Sequence, residues 1–550
     1  MKKLLAFILS LSIIVSVNTI ANLSKVSAEE STETPVTYVQ NENDNLPDTT
    51  APHSRAVIDD FEFNVYDDFA VLTAYNNRDA EEVTIPSEVK GVPVVMVENT
   101  PFGKCRNLKT ITLPDTLRYF NWGDLVCTTL ETVNGSSSGS NNIYAAANTT
   151  ITDLDEIKVK EQEYLVPSVS SVVVSETNPY YTSADGIIYS KDMKTLVGCP
   201  PALDITELNV SEKAECIGDN AFYDCYNLEK AVVPSNIKNI GRQAFLGCIN
   251  LKSAEIPESI KVLTCEMFGF CISLSEVAVK GDIETIERGV FYECSSLKDF
   301  SIPETVTAVG DSAFENCGCY ENDNGIYYMG KWVVGSDEDV ENAIVKDGTI
   351  GISYAAFAFR GNIKILDIPK SVKYTGELMY IFGLNTSSLS EIHYRAHVIK
   401  EKTLAGARCS SDVYIYDPEC EIYDSEKTIL AQSRLKNPEY HEEYIFDGES
   451  SEETEKYITA DIIIHGYENS TAQAYAEKYD RKFELIEDTV LKGDANGDGE
   501  FGIADAVILS KWILSDAQTD IKSWKSADLN NDNQLDAIDL CIMKNMILNG

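Results

Sequence analysis

Asp494, Asn496, Asp498 and Asp505 occupy positions 1, 3, 5 and 12 of one twelve-residue stretch, in a chain whose formal net charge is already -43. Packing gives no reason for such crowding, because a buried unpaired carboxylate is costly and an exposed cluster repels itself. Oxygen donors at these positions, with a backbone carbonyl at position 7, are what an EF-hand-type loop wraps around a hard cation. Glu500 supplies that carbonyl, Gly499 stands at position 6 where the chain turns sharply, and Gly502 at position 9 leaves room for a water. The chemistry is calcium coordination, and the ion is the positive charge the sequence lacks.

The pattern returns 34 residues later as Asp528, Asn530, Asp532, Asp536 and Asp539, with Gln534 at the carbonyl place and Asn533 at position 6. The offset extends into IADAVILSKWIL (503–514) and AIDLCIMKNMIL (537–548), which are apolar together at nine of twelve positions. Two loop–helix motifs, each holding one calcium ion, are therefore expected. A segment this short buries little core, so cancellation of its clustered charge by two cations is what would order it.

These residues resemble the type I dockerin, with Asp in place of Glu at position 12. The resemblance implies a small all-α calcium-dependent module over 487–550 that binds a cohesin domain on a scaffoldin of a cellulosome-type complex, the assemblies that degrade plant fibre. It also implies that positions 10 and 11 of each loop and the following helix touch the cohesin. Here these are Ile503, Ala504, Ala537 and Ile538, with Lys511, Trp512 and Lys544 on the helices. Many dockerins carry hydroxyl residues at the paired positions, whereas this chain has Ile-Ala in one half and Ala-Ile in the other. Periodicity alone fits Ile503 and Ile538 equally well as interface or as core.

The elements that carry this tail are repetitive. Phe222, Phe245, Phe268, Phe291 and Phe314 are each 23 residues apart, as are Cys225, Cys248, Cys271, Cys294 and Cys317. Three residues after the first four cysteines come Leu228, Leu251, Leu274 and Leu297, and an apolar-Pro step recurs at Val233-Pro234, Ile256-Pro257 and Ile302-Pro303. Phe102, Cys105, Leu108 and Leu113-Pro114 repeat the template, as do Phe357, Ile363 and Ile368-Pro369, with Arg360 in the cysteine place and a degenerate turn at Phe382. A fixed period of this length predicts an α/β repeat solenoid of short parallel strands, one per turn, each turn covering the apolar ledge of the next.

AFYDCYNLEKAVVPSNIKNIGRQAF (221–245) resembles the BspA-like leucine-rich repeats of secreted and surface bacterial proteins. VTIPSEVKGVPV (83–94) is similar to that family's opening turn, and 178–200 and 322–335 to its recurrent hairpin. IIIHGYENSTAQAYAEKYDRKFELI (462–486) is similar to its closing element, with Ser470 and Gln473 placed as a capping box. Residues 121–165 leave the template, and NGSSSGSNN (134–142) has the composition of a flexible loop.

Fourteen cysteines in a secreted chain would ordinarily suggest disulfides. Equivalent sites on stacked turns, however, lie about 4.8 Å apart with parallel Cα–Cβ vectors, against about 3.8 Å between Cβ atoms in a relaxed bridge. The ladder cysteines are therefore read as small buried hydrophobes with a weak donor. Cys317 with Cys319, and Cys409 with Cys420, are the pairs outside that argument.

Lys2, Lys3, the apolar run Leu4 to Val17 and the exit Val26-Ser27-Ala28 predict a secretory signal over 1–28, followed by a disordered acidic leader over 29–56 and the repeat region over 57–486. Loss of that signal leaves 42 basic side chains (45 less Lys2, Lys3 and Lys25) against 88 acidic ones, which argues against nucleic acid and anionic lipid as partners. No later stretch is long and apolar enough to span a bilayer. The expected location is outside the cell, held at the surface through a scaffold.

Catalytic motifs are not evident. His393 and His397 would share a face if helical, but HYRAH is not HExxH, and His441-Glu442-Glu443 is similarly incomplete. The reading is a secreted, non-catalytic recognition protein whose repeats engage a protein or glycan ligand while the tail docks to a cohesin. Its alternatives are a dockerin-borne polysaccharide hydrolase with chemistry in 121–200 or 390–450, and a protein-binding protector or inhibitor of the complex.

Overall fold

A computed structural model of the protein describes residues 52–126, 168–357, 362–376, 389–400, 412–426, 463–486, 492–498, 500–514, 524–530 and 534–549, with a few isolated positions between them. The expected signal, most of the expected leader, the glycine- and serine-rich loop, Arg360, Phe382, Cys409, His441, Gly499, Asp532 and Asn533 lie outside the described residues. The chain forms two compact units, one comprising residues up to Ser411 with Glu421–Ile462, the other Asp412–Cys420 with Ile463–Gly550.

The first unit opens on an antiparallel meander, Ser54–Ile58, Phe61–Val65 and Ala70–Tyr75, to which Val92–Val97 adds in parallel. Its first strand begins inside the segment read as leader. Three hairpins turn on residue-glycine pairs with both φ positive: Lys90-Gly91 (51° and 85°), Asp185-Gly186 (52° and 80°) and Asn324-Gly325 (53° and 84°). Such turns match the right-handed twist of the flanking strands, and glycine takes the second position at no steric cost.

The repeats build a β-solenoid with a 23-residue turn, as the period predicts. Each turn contributes two short strands rather than the single one expected. Lys230–Val232, Ser253–Ile256 and Glu276–Val279 form one parallel ladder, and Val262–Leu263, Thr285–Ile286 and Ala308–Val309 form another, with every partner displaced by one repeat. The second strand follows from bend geometry. Residues two before the repeat Phe (Asn220, Gln243, Glu266, Ser312) and two after it (Asp224, Phe270, Glu293, Asn316) have φ between 52° and 61°. Tight turns replace the helix of an α/β repeat, and within them Phe245 N–H donates to Met267 O at 2.9 Å and Phe268 N–H to Val290 O at 2.9 Å. A non-glycine residue costs about 1–2 kcal/mol in this conformation. These inter-turn bonds and the core beneath offset it.

That core is a stack of rings. Neighbouring phenylalanines along the ladder from Phe222 to Phe291 are 5.2, 5.4 and 5.8 Å apart between centroids and within 9° of parallel. Beside them the thiols of Cys248, Cys271 and Cys294 donate to the carbonyls of Phe222, Phe245 and Phe268 at 3.1, 3.2 and 3.1 Å. These cysteines are free and buried, in accord with the small-hydrophobe reading. Burial pushes their thiols well above the ordinary range.

The start of the segment read as an insertion is instead a core anchor. Helix α1, Trp122–Val126, buries Trp122, Leu125 and Val126 completely, and Trp122 Nε1 donates to Cys199 O at 3.2 Å. Gly198 is required beside it, because a Cβ there would lie 1.9 Å from the indole. His393 falls on the strand Glu391–Tyr394 rather than a helix and pairs with Glu391 at 3.0 Å, while His397 lies 4.0 Å from Glu421, so the two histidines do not share a site.

In the second unit Asp412–Ile415, Ile463–Gly466 and Lys482–Leu485 form a parallel sheet that carries helix α2, Thr471–Lys478. Ser470 caps α2 by accepting from Gln473 N at 3.2 Å. The return bond of the expected capping box goes one residue further back, from Asn469 N to Gln473 Oε1 at 2.7 Å.

Candidate metal centre

The C-terminal helices α3 (Ile503–Ile513), α4 (Trp524–Ala527) and α5 (Ala537–Asn549) surround a small core in which Leu509 and Met543, 34 residues apart, are both fully buried. Phe501, Ile513, Leu540 and Ile547 pack against it. Gly493 has φ 101° and no room for a side chain, since a Cβ would meet the Phe501 ring at 2.2 Å.

The two position-12 aspartates carry equivalent sets of hydrogen bonds. Asp505 Oδ1 accepts from Ala495 N at 2.9 Å and Asn496 N at 3.1 Å, and its Oδ2 from Gly502 N at 2.8 Å. Asp539 repeats this one offset later: Oδ1 accepts from Leu529 N at 2.9 Å and Asn530 N at 3.3 Å, and Oδ2 from Asp536 N at 3.0 Å. Each carboxylate ties the start of its loop to the helix behind it. Asp505 and Asp539 are 1% and 0% exposed, and neither has a cationic side chain as partner among the described residues.

The other donors of the first loop fold inward by local bonds. Asp494, itself buried, accepts from Gly497 N at 2.7 Å and Asp498 N at 3.2 Å; Asn496 accepts from Asp498 N at 2.8 Å, and Asp498 from Glu500 N at 2.9 Å. The left-handed glycine among the described residues of this loop is Gly497, φ 71°, at position 4. In the second loop Asp528 is buried, Asn530 and Asp536 are half-buried and Gln534 is exposed. Asp536 also caps α5, accepting from Ile538 N at 2.6 Å.

Among the described residues no three His, Cys, Asp or Glu side chains are gathered as a ligand group. The residues nonetheless fit a calcium ion chemically. Every donor is a hard oxygen, and the two buried carboxylates have backbone N–H groups but no opposite charge beside them. Asp494, Asn496, Asp498, the Glu500 carbonyl and Asp505 would hold one ion, and Asp528, Asn530, Asp532, the Gln534 carbonyl, Asp536 and Asp539 the other. A bound cation supplies compensating charge.

The helix surfaces are apolar where a core reading would have hidden them. Ile503 is 72% exposed and Ile538 55%, while Ala504, Ala537, Lys511 and Lys544 are exposed and Trp512 reaches solvent at its edge. Sequence reasoning missed Val507, Leu514 and Leu548, which are exposed on the same helices. The signal was present, since Leu514 and Leu548 are an offset-34 pair and 503, 507 and 514 share one helical face.

A family model for the BspA type leucine-rich repeat region matches residues 72–177 and 202–321 in six copies. A model for the dockerin type I domain matches residues 492–548. No curated protein matches the chain. Among solved structures, a leucine-rich repeat protein from Bacteroides ovatus shares 16% identity over 78% of this chain and 100% of its own, with a TM-score of 0.30. A leucine-rich cell surface protein from Faecalibacterium prausnitzii shares 16% over 80% and 96%, with 0.26. A leucine-rich repeat protein from T. pallidum shares 19% over 45% and 92%, with 0.23. The 23-residue ladders in the first unit and the twofold-repeated loop–helix motifs at the end agree with the two family models, and the chain accordingly carries BspA-type leucine-rich repeats followed by a C-terminal type I dockerin domain.

Proposed function

We propose that this is a secreted, non-catalytic recognition protein that docks through its calcium-loaded tail to a cohesin domain while its repeats engage a protein or glycan ligand. The observation that carries the reading is the pair of buried aspartates, Asp505 and Asp539, with no cationic side chain beside them among the described residues, each locking a loop to a helix whose outer face is apolar and exposed. Charge compensation by two calcium ions orders the loops, and the ordered helices present Ile503, Ala504, Lys511, Trp512, Ala537, Ile538 and Lys544 to the cohesin. On the solenoid, Val173, Val232 and Ile344 are exposed singly, one on each of three separate strand ladders. No helix among the described residues is long and apolar enough to cross a membrane.

Isothermal titration of the full chain against a panel of type I cohesins tests this. Binding is expected in calcium and absent in EDTA, with Ile503→Asp and Ile538→Asp each weakening it at unchanged calcium stoichiometry. Binding that persists in EDTA, or a panel that shows none in calcium, overturns the assignment.

A further inference from the structure

The cysteine ladder ends differently from the way it runs. At Cys225, Cys248, Cys271 and Cys294 the thiol points back to a carbonyl of the preceding turn, at 3.1 to 3.5 Å. Cys317 occupies the fifth rung, yet its sulfur lies 2.9 Å from the sulfur of Cys319, two residues on. That is closer than unbonded heavy atoms normally rest. Gly318 between them is what allows the approach: a Cβ there would meet Ser295 O at 3.0 Å and Leu297 O at 3.1 Å, so the backbone lies tight on the preceding turn while both neighbouring side chains converge. Cys317 is buried, and Cys319 is only half-buried, at the point where the ladder gives way to the hairpin starting at Glu321. The two sulfurs share this contact as a hydrogen bond in which either can donate.

We propose that Cys317 and Cys319 are a redox-active dithiol that closes reversibly to a disulfide by exchange with low-molecular-weight disulfides. The half-buried Cys319 sulfur is the one an incoming disulfide reaches. Its thiolate attacks one sulfur of the reagent, forms a mixed disulfide and releases the other half as a thiol, which takes up the proton Cys319 gave up. Cys317 then attacks the Cys319 sulfur, breaks the mixed disulfide and releases the second thiol with its own proton. One reagent disulfide becomes two thiols, and the two cysteines are oxidised to one bond. A ring of three residues gains the least from loop closure, and its tight geometry favours reopening, so the bond acts as an exchangeable group rather than a staple. Cys225, Cys248, Cys271 and Cys294, buried and bonded to carbonyls, are out of the reagent's reach and stay out of this chemistry.

The test uses the full chain, reduced, desalted and exposed to oxidised glutathione, then unfolded, alkylated and peptide-mapped. The expected result is a peptide spanning Cys317 and Cys319 that is lighter by two hydrogens, carries no glutathione and resists alkylation until reduced, with Cys225, Cys248, Cys271 and Cys294 fully alkylated. Cys317→Ser should then accumulate glutathione on Cys319, because no second sulfur is left to release it. Full alkylation of Cys317 and Cys319 in the treated wild type overturns the proposal. So does glutathione retained on Cys319 to the same extent with and without Cys317, or oxidation spread over the buried rungs.

Discussion

The solenoid and the dockerin domain solve opposite problems with opposite materials. In the solenoid each turn from Phe222 to Phe291 hides one phenylalanine, one cysteine and one leucine in an apolar stack. In the dockerin domain the fully buried side chains include the charged Asp505 and Asp539, while Ile503, Leu514, Ile538 and Leu548 are out in solvent. Apolar stacking is satisfied by the chain alone and propagates from neighbour to neighbour. On the function proposed here a charged core is completed by an ion, and order in the tail then depends on what the medium supplies.

The comparison breaks most visibly under chelation. EDTA added to the full chain should abolish amide-exchange protection of the bonds to Asp505 and Asp539, at Ala495, Asn496, Leu529 and Asn530, while the Phe245 and Phe268 amides stay protected. Equal loss in both regions would mean that the solenoid also needs the ion. Equal retention would mean that the tail needs none.

The converse perturbation is Phe268→Ala in the middle of the ring stack. Removing a fully buried ring flanked by two others is expected to cost about 3–5 kcal/mol, read as a lowered urea midpoint of the solenoid transition. Calcium affinity of the tail should not change. A loss below about 1 kcal/mol would show that the ladder tolerates a gap and that inter-turn hydrogen bonds carry the stack.

Legibility in the sequence follows the same division. The Phe, Cys and Leu rungs were readable because the same residue types recur at one spacing and a core position accepts few alternatives. The second strand of each turn was not, because the residues that bend the chain, Asn220, Gln243, Glu266 and Ser312, share a backbone conformation but not one residue type, size or charge. Trp122 was hidden for a third reason: it anchors the core once, outside any repeat, against Gly198 and Cys199, 76 and 77 residues away. In the tail the carboxylates announced themselves by spacing. Exposure of Ile503 and Ile538 did not, since an apolar stripe reads the same whether it faces a core or a partner.

Buried acid is not confined to the tail, and pH separates the two uses. In the solenoid, burial with Glu315 nearby pushes Asp311 up to about 6 from its ordinary 3.8, and burial raises Asp219, Asp224 and Glu293 as well. A carboxyl whose folded value lies above its unfolded one binds protons more tightly when folded, so the stability it contributes is full at low pH and lost as pH rises. Solenoid stability should therefore fall between pH about 4 and about 6, by about 1–2 kcal/mol for Asp311, because part of the residue still meets solvent. Asp311→Asn should flatten that slope in urea titrations. An unchanged slope would assign it to the other three acids. Calcium binding by the tail has the opposite sign, since its carboxylates must be deprotonated to coordinate.

The smallest expected effect lies on the solenoid surface, where lysines pair with glutamates one turn earlier: Lys252 with Glu229 at 2.8 Å and Lys364 with Glu341 at 2.7 Å. The spacing repeats the period, which invites the idea that these pairs set the register of the stack. Exposure argues otherwise, because Lys252 and Glu229 side chains are 61% and 48% accessible and such pairs are screened and entropically costly to hold. A double-mutant cycle of Lys252→Ala and Glu229→Ala should give a coupling below about 1 kcal/mol that fades in high salt. The register is then set by the rings and the backbone ladders beneath, and the charged rungs follow it. A coupling that stays above about 2 kcal/mol in salt would reverse that order and make surface charge a determinant of the solenoid's register.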